Sequence, residues 1–335
     1  MSDNPEIVEV TRGATVESRH RGAVAVVDAD GGLVWSCGDI ALPVFPRSAV
    51  KVIQALPLVE TGAAIAFGLS DAELALACAS HNGEAVHTAG ARAMLAKAGH
   101  DERSLECGAQ WPRRQEDIGA ILAAGASAPS PLHNNCSGKH AGFICLACHI
   151  GADPAGYIGP EHAVQRDVTA ALADVTGTAL SAATMAIDGC SAPTHRMPLR
   201  SLAHGFAKLA TGAGLAPMRA AAARRLFAAV IAHPQMVAGT DRFCTRFMTA
   251  LRPRVFVKTG AEGVFCGAIP ELGLGIAVKC DDGAARAAEV AMAATVARLL
   301  GRADDPALAP FVAPAIVNFN GITVGGLRPA EALRG

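Results

Sequence analysis

The sequence predicts an α+β fold in which a central, mostly antiparallel sheet is flanked by helices. Three observations carry that expectation. Strand-like runs cluster toward the two ends of the chain, helical periodicity dominates the stretch between them, and no regular strand–helix alternation of the kind that builds a parallel sheet is present. The chain has 335 residues, 51% of them hydrophobic, which is enough for a sizeable core and an ordered globule. It reads as a single domain over 1–335, with the sheet drawn from both termini and a helical region over about 60–235.

Taken in order, residues 22–38 (GAVAVVDADGGLVWSCG) hold two apolar strands around a DADGG turn, a hairpin pattern. A loop with Pro43 and Pro46 follows, and Arg47–Ala63 reads as a helix. Further helices are expected at 70–79, 84–98, 114–124, 138–150, 161–176, 198–211, 217–232 and 284–301. Strands return at 184–189, 254–259, 263–269 and 274–280, with Gly260-Ala261-Glu262 as a short hairpin connection. The tail after about 315 alternates Val, Phe and Ile with polar residues, as a last strand or a packing arm would.

Composition excludes several classes of function. A formal net charge of −1 leaves no electrostatic footprint for nucleic acid or for an anionic membrane surface. The segment MSDNPEIVEV lacks a basic stretch followed by an apolar one, and no run is long and apolar enough to span a bilayer. Even the apolar 285–300 carries Arg286, Glu289 and Arg298. The expectation is a cytoplasmic protein, in which ten cysteines scattered over the chain are free thiols, mostly buried as small apolar groups. Cys145 and Cys148 form a C-x-x-C, but after a helical pattern rather than a strand. Of 29 basic residues only six are lysines: Lys51, Lys97, Lys139, Lys208, Lys258 and Lys279. Lysine, unlike arginine, can lose its proton and act as a base or ligand, and three of the six lie in motifs rich in Ser, Gly or Cys.

The first motif is Ser48-Ala-Val-Lys51. On a helix start, serine and lysine at i and i+3 share a face, and free backbone N–H groups suit a developing oxyanion. A neutral lysine can take the serine proton. The plainer alternative is a capping serine beside a solvated lysine. Ser80-His81-Asn82 follows a helix, and Lys258-Thr259-Gly260 ends a strand. The series S-x-x-K, S-x-N, K-T-G in this order is the signature of serine β-lactamases and penicillin-binding proteins. Two departures stand out. Ser80 comes only 32 residues after Ser48, and the single tyrosine, Tyr157, is no obvious base.

A third departure is more informative: Asn134-Asn135-Cys136-Ser137-Gly138-Lys139-His140-Ala141-Gly142, with Asp188-Gly189-Cys190 further on. Cys136 and Lys139 are spaced like ligands at a helix start, and Cys190 is placed to close the set. Two thiolates and a nitrogen donor suit Zn²⁺, with His140 as the conventional alternative to lysine. The competing reading is a pair of buried thiols.

Together, R-S48-A-V-K51, C-A-S80-H-N82-G-E, N-N-C136-S-G-K139-H-A-G, D188-G-C190-S-A-P and V-K258-T-G-A-E-G resemble the rhizobial-type L-asparaginase II family over roughly residues 5–330. The NNCSGKHAG and DGCSAP strings are specific, whereas S-x-x-K is not. The resemblance implies a serine β-lactamase/penicillin-binding-protein-like fold and a homodimer that hydrolyses L-asparagine to aspartate and ammonia. It also implies two Ser–Lys pairs, mapping to Ser48 with Lys51 and Ser80 with Lys258, and a zinc ion held by Cys136, Lys139 and Cys190. Arg47 and Asp188 are the expected partners of the substrate's charged ends, with His81, Asn82, Asn135 and His140 lining the site. A threonine-dependent asparaginase would need a T-G-G-T-type loop, which is absent. A self-cleaving enzyme would need a threonine in a cleavage context, which neither Gly239-Thr240 nor Gly177-Thr178 offers. The rival functions are a β-lactamase-like serine amidase or glutaminase, and a non-catalytic zinc-stabilised binding protein.

Overall fold

A computed structural model of the chain describes residues 4–334. The chain divides into two compact units. One comprises Met1–Ala49, Arg196–Thr211 and Phe247–Gly335, and the other Val50–His195 and Gly212–Arg246.

The first unit is built on an eight-stranded sheet. Its strands lie in the order Ala315–Val317, Thr323–Pro329, Glu6–Arg12, Thr15–Asp28, Leu274–Cys280, Val264–Ile269, Phe256–Thr259, with Leu33–Cys37 paired to Thr15–Asp28 off this path. Every described pairing is antiparallel. The long strand Thr15–Asp28 joins the two parts. Thr15–Arg21 pairs with Glu6–Arg12, and Gly22–Asp28 with Leu274–Cys280. Its burial changes along its length. Residues 15–21 are mostly exposed or half-buried, whereas Gly22–Val27 are all buried, beneath helices that include Leu199–Thr211. A stretch with no solvent face has no reason to alternate, which is why GAVAVV is continuously apolar. A second helix, Ala285–Leu299, packs on the strands Leu274–Cys280 and Val264–Ile269.

The expected hairpin and the strands near 254–280 are therefore in place, and the tail after 315 supplies two sheet strands. The strand Glu6–Arg12 was not anticipated. The run near 184–189 becomes Met185–Ile187, which pairs with Pro193–His195 in a separate two-stranded ribbon of the second unit instead of joining the sheet. The helix expected at 47–63 is broken. A 3-10 turn, Arg47–Val50, leads into Lys51–Gln54, then Leu56–Glu60, then Ala63–Ala66. Pro57 has no N–H with which to continue the ladder, so one long helix cannot form there.

The second unit is helical around Ser137–His149, whose residues Ser137–Ala147 are all buried. Leu56–Glu60, Ala63–Ala66, Asp71–Ala77, Ala85–Lys97 and Ala163–Thr176 pack on it. A helix covered on all sides carries no polar stripe, so its polar side chains, Ser137, Lys139 and His140, must find partners inside the unit. No described helix is long and apolar enough to cross a membrane.

Candidate active site

In the second unit the chain is brought to Ser80 by helix Asp71–Ala77. Ser70 caps that helix, accepting from the Glu73 N–H while the Glu73 carboxylate accepts from the Ser70 N–H. Just past its end the Ser80 N–H donates to Val237 O at 2.9 Å. Lys51, 1% exposed, reaches this point from the short helix Lys51–Gln54. Its Nζ donates to Ala79 O at 2.5 Å, to Ser80 Oγ at 3.0 Å and to Cys136 Sγ at 3.0 Å. Three acceptors match the three N–H bonds of an ammonium, the condition under which a buried lysine is tolerated. Stripped of one proton, the same nitrogen would face Ser80 Oγ as an acceptor.

Cys136 leads into the buried helix Ser137–His149, and Cys190 lies in the loop after Met185–Ile187. Lys139 Nζ is 3.1 Å from Cys190 Sγ. The two thiols are driven apart in acidity. The hydrogen bond from Cys136 holds Cys190 far below the usual thiol range against the effect of burial, with help from Lys139 and His140. The same bond and burial push Cys136 well above it. Burial alone would lower Lys139, but the Cys190 and Cys136 sulfurs outweigh it and raise it. Fully buried His140 is pushed down to about 4, chiefly by desolvation. Its Nδ1 is 2.6 Å from the Tyr157 hydroxyl, which also accepts the Glu106 N–H at 2.9 Å. His140 Nε2 has no hydrogen-bond partner of good geometry, although Cys190 lies near enough to act on its proton equilibrium. The Cys136 and Cys190 sulfurs and the Lys139 nitrogen thus lie together, donor types that suit zinc, with His140 beside Cys190. Among the described residues no three His, Cys, Asp or Glu side chains are arranged to hold a metal ion, so such a site depends on the Lys139 nitrogen.

The remaining motif residues of this unit are occupied. His81 Nδ1 accepts the Gly83 N–H at 3.1 Å, so its Nε2 donates to Ser137 Oγ at 3.0 Å, and Ser137 donates on to Leu132 O at 2.8 Å. Asn82 spends both amide hydrogens, on Glu84 Oε1 at 2.9 Å and Thr240 O at 3.0 Å, while its Oδ1 accepts from Arg242 at 3.2 Å. Asn135 donates to Gln110 Oε1 at 2.9 Å, and its Oδ1 is 2.9 Å from Cys136 Sγ. Half-buried Asp188 accepts the Gly189 N–H at 2.7 Å and acts on Lys139 electrostatically.

Within the first unit, Ser48 and Arg47 are half-buried in the 3-10 turn Arg47–Val50. Arg47 has φ 51°, a left-handed conformation costly for a side-chain-bearing residue and common at functional sites. Lys258, buried on the strand Phe256–Thr259, donates to Thr259 O at 2.9 Å. A Cβ on Gly260 would come within 2.6 Å of Pro46 O. Only glycine therefore lets the K-T-G strand end lie against the segment that leads into Ser48.

Three groupings emerge. Lys51, Ser80 and Cys136 meet, and Lys139, Cys190 and His140 meet, both in the second unit. The K-T-G end and the Pro46–Ser48 segment meet in the first. The sequence does not single out Glu84, Gln110 or Arg242, and it raises Thr240 only as a self-cleaving threonine that lacks a cleavage context. No spacing rule links Glu84 to a segment some 150 residues away, and the only hint was that S80-H-N82-G-E runs on to an acid.

A family model described as L-asparaginase II matches residues 8–329. A search of curated proteins finds no match. Among solved structures, a β-lactamase from Mycobacterium bovis is 14% identical, the match covering 80% of this chain and 89% of that one with a TM-score of 0.37. A protein named Mglu is 16% identical over 80% of this chain and 64% of its own, just under two thirds of its length, at 0.34. An octameric penicillin-binding protein homologue from Pyrococcus abyssi is 13% identical over 87% and 76%, at 0.34.

Proposed function

The chain belongs to the L-asparaginase II family, which makes it an amidohydrolase, and we propose that it cleaves the side-chain amide of L-asparagine by serine–lysine catalysis. The observation that carries the mechanistic part is that Lys51, three residues along the chain from Ser48, donates a buried hydrogen bond from its Nζ to Ser80 Oγ. The Ser48 hydroxyl attacks the amide carbon as Lys51, in its neutral form, takes the hydroxyl proton. Lys51 then returns that proton through Ser80 Oγ to the leaving nitrogen, so ammonia departs and an aspartyl ester remains on Ser48. Water, deprotonated with the help of Lys258, attacks the ester and restores the serine, giving aspartate. One water is consumed for each ammonia released. Arg47 and Asp188 are the proposed partners of the substrate carboxylate and amine, with Asn135 lining the site.

Zinc held by Cys136, Lys139 and Cys190 would supply a fixed positive charge for orienting substrate. Tyr157 holds His140 beside Cys190. His81 and Asn82 support Ser80, since their polar atoms are already engaged. The protein is further proposed to be a homodimer, as the resemblance implies, and to work in the cytoplasm. Purified protein incubated with L-asparagine, L-glutamine and a chromogenic β-lactam should release ammonia from asparagine fastest. Faster opening of the β-lactam, or ammonia from glutamine alone, would replace the proposed substrate.

A further inference from the structure

From the way the second unit fastens Ser80, we infer that Glu84 is a positioning residue: its carboxylate locks residues 80–84 to residues 235–242 and so fixes the Ser80 backbone. The inference deepens the reading of Ser80 as part of an amidohydrolase site and rests on it.

Glu84 is 7% exposed and accepts four hydrogen bonds. Asn82 Nδ2 at 2.9 Å and the Thr240 N–H at 2.7 Å reach Oε1, while Thr240 Oγ1 at 2.9 Å and Gln235 Nε2 at 3.0 Å reach Oε2. Gln235 spends its other amide hydrogen on Thr240 Oγ1 at 2.9 Å, which closes a ring of polar contacts around the carboxylate. These partners hold Ser80 from both sides. Val237, inside the same segment, takes the Ser80 N–H, and Arg242, bonded to Asn82 Oδ1 at 3.2 Å, approaches Ser80 O at 3.5 Å.

Gly239 is the second, independent sign that the arrangement is built. Its φ is 108°, and a Cβ there would lie 2.6 Å from Glu84 Oε1 and 2.7 Å from Asn82 Nδ2. Any side chain at 239 would push the carboxylate and the amide off their donors. Gly239-Thr240, which lies in no cleavage context, thus has its place in the molecule as the socket for Glu84. Burial raises the Glu84 pKa, but the hydrogen bonds from Thr240 and Asn82 outweigh it and keep the carboxylate below its usual range. A simple acid near a helix N-terminus would point at helix N–H groups. Glu84 is itself the N-cap of helix Ala85–Lys97, yet all four of these donors lie outside that helix.

The test compares Glu84→Gln, Thr240→Val and Thr240→Ser by steady-state hydrolysis of L-asparagine and by amide hydrogen exchange. Glutamine keeps the shape but puts N–H groups against N–H donors. Because small displacements of reacting groups cost orders of magnitude in rate, kcat of Glu84→Gln should fall about tenfold or more while KM changes less than about threefold. The Ser80 amide should exchange about tenfold faster, with the amides of Ser137–His149 as protected as in wild type. Thr240→Val, which keeps the backbone bond and loses the hydroxyl, should shift the same way and stands in if Glu84→Gln does not fold. Thr240→Ser should stay within about twofold of wild type. Wild-type kcat and Ser80 protection in Glu84→Gln would overturn the inference. So would a loss of kcat matched by faster exchange throughout Ser137–His149. Should the wild-type enzyme release no ammonia from asparagine, the substrate reading falls, and Ser80 exchange alone decides: faster in Glu84→Gln upholds the clamp, unchanged refutes it.

Discussion

Replacing Lys51 by methionine separates chemistry from folding, because the structure sets the size of both effects. Methionine keeps most of the stem but removes the nitrogen bonded to Ala79 O, Ser80 Oγ and Cys136 Sγ. The orphaned Ala79 carbonyl costs about 1–3 kcal/mol of stability. The loss is offset in part because an ammonium no longer has to be buried. Typical domains hold about 5–15 kcal/mol, so the variant stays folded. The catalytic loss is larger. A general base contributes about 10²- to 10⁴-fold, which is about 3–5 kcal/mol of barrier at 1.36 kcal/mol per decade. The assay is continuous ammonia release from L-asparagine beside thermal unfolding of the same preparation. Lys51→Arg is the companion, since it keeps the positive charge in a group that cannot act as a base, and turnover should be lost there too. A folded Lys51→Met enzyme within about tenfold of wild-type turnover would remove Lys51 from the mechanism.

Protein purified without chelator should carry about one zinc per chain by elemental analysis, and Cys190→Ser should weaken binding and raise KM more than it lowers kcat. Metal-free protein from such a preparation would end the zinc proposal. In chelator-treated protein, His140 titrates near about 4 in the folded state against its ordinary 6.5, and His87 is likewise lowered by burial. The unfolded chain binds those protons first, so the histidines' stabilisation is present above pH 6.5 and is lost as pH falls toward 4. The His140 part is about 3 kcal/mol, and denaturant unfolding at pH 7 and pH 5 that gave equal free energies would refute it. Tyr157→Phe removes the hydroxyl shared by Glu106 N–H and His140 Nδ1, and should cost about 1–3 kcal/mol in the same unfolding assay.

The sequence made the covered strands legible because burial on both faces writes an unbroken apolar run, as at Gly22–Val27 and Val264–Ile269. Glu6–Arg12 was hidden because its charged residues interrupt a short pattern, and its pairing with Thr323–Pro329 joins the two ends of the chain. Met185–Ile187 has a strand's composition, but composition does not say which sheet receives it. At the site, the triplets that hold Ser48, Ser80 and Lys258 could be read locally. The hydrogen bond of Lys51 to a serine 29 residues on could not, and neither could the contacts of Tyr157 with His140 or Glu84 with Thr240. Each of these is set by tertiary packing of segments whose separation has no periodicity to betray it.

A covalent aspartyl ester on serine is what separates serine–lysine amide hydrolysis from direct attack by water. Trapping it tests the mechanism at its centre. Lys258→Met, mixed with L-asparagine, quenched in acid and weighed intact, should accumulate protein heavier by one aspartyl group, which peptide mapping places on Ser48. Ser48→Ala should never gain it. An ester mapped to Ser80 would exchange the roles of the two serines. Steady ammonia release with no acylated protein in any variant would contradict nucleophilic catalysis by serine altogether.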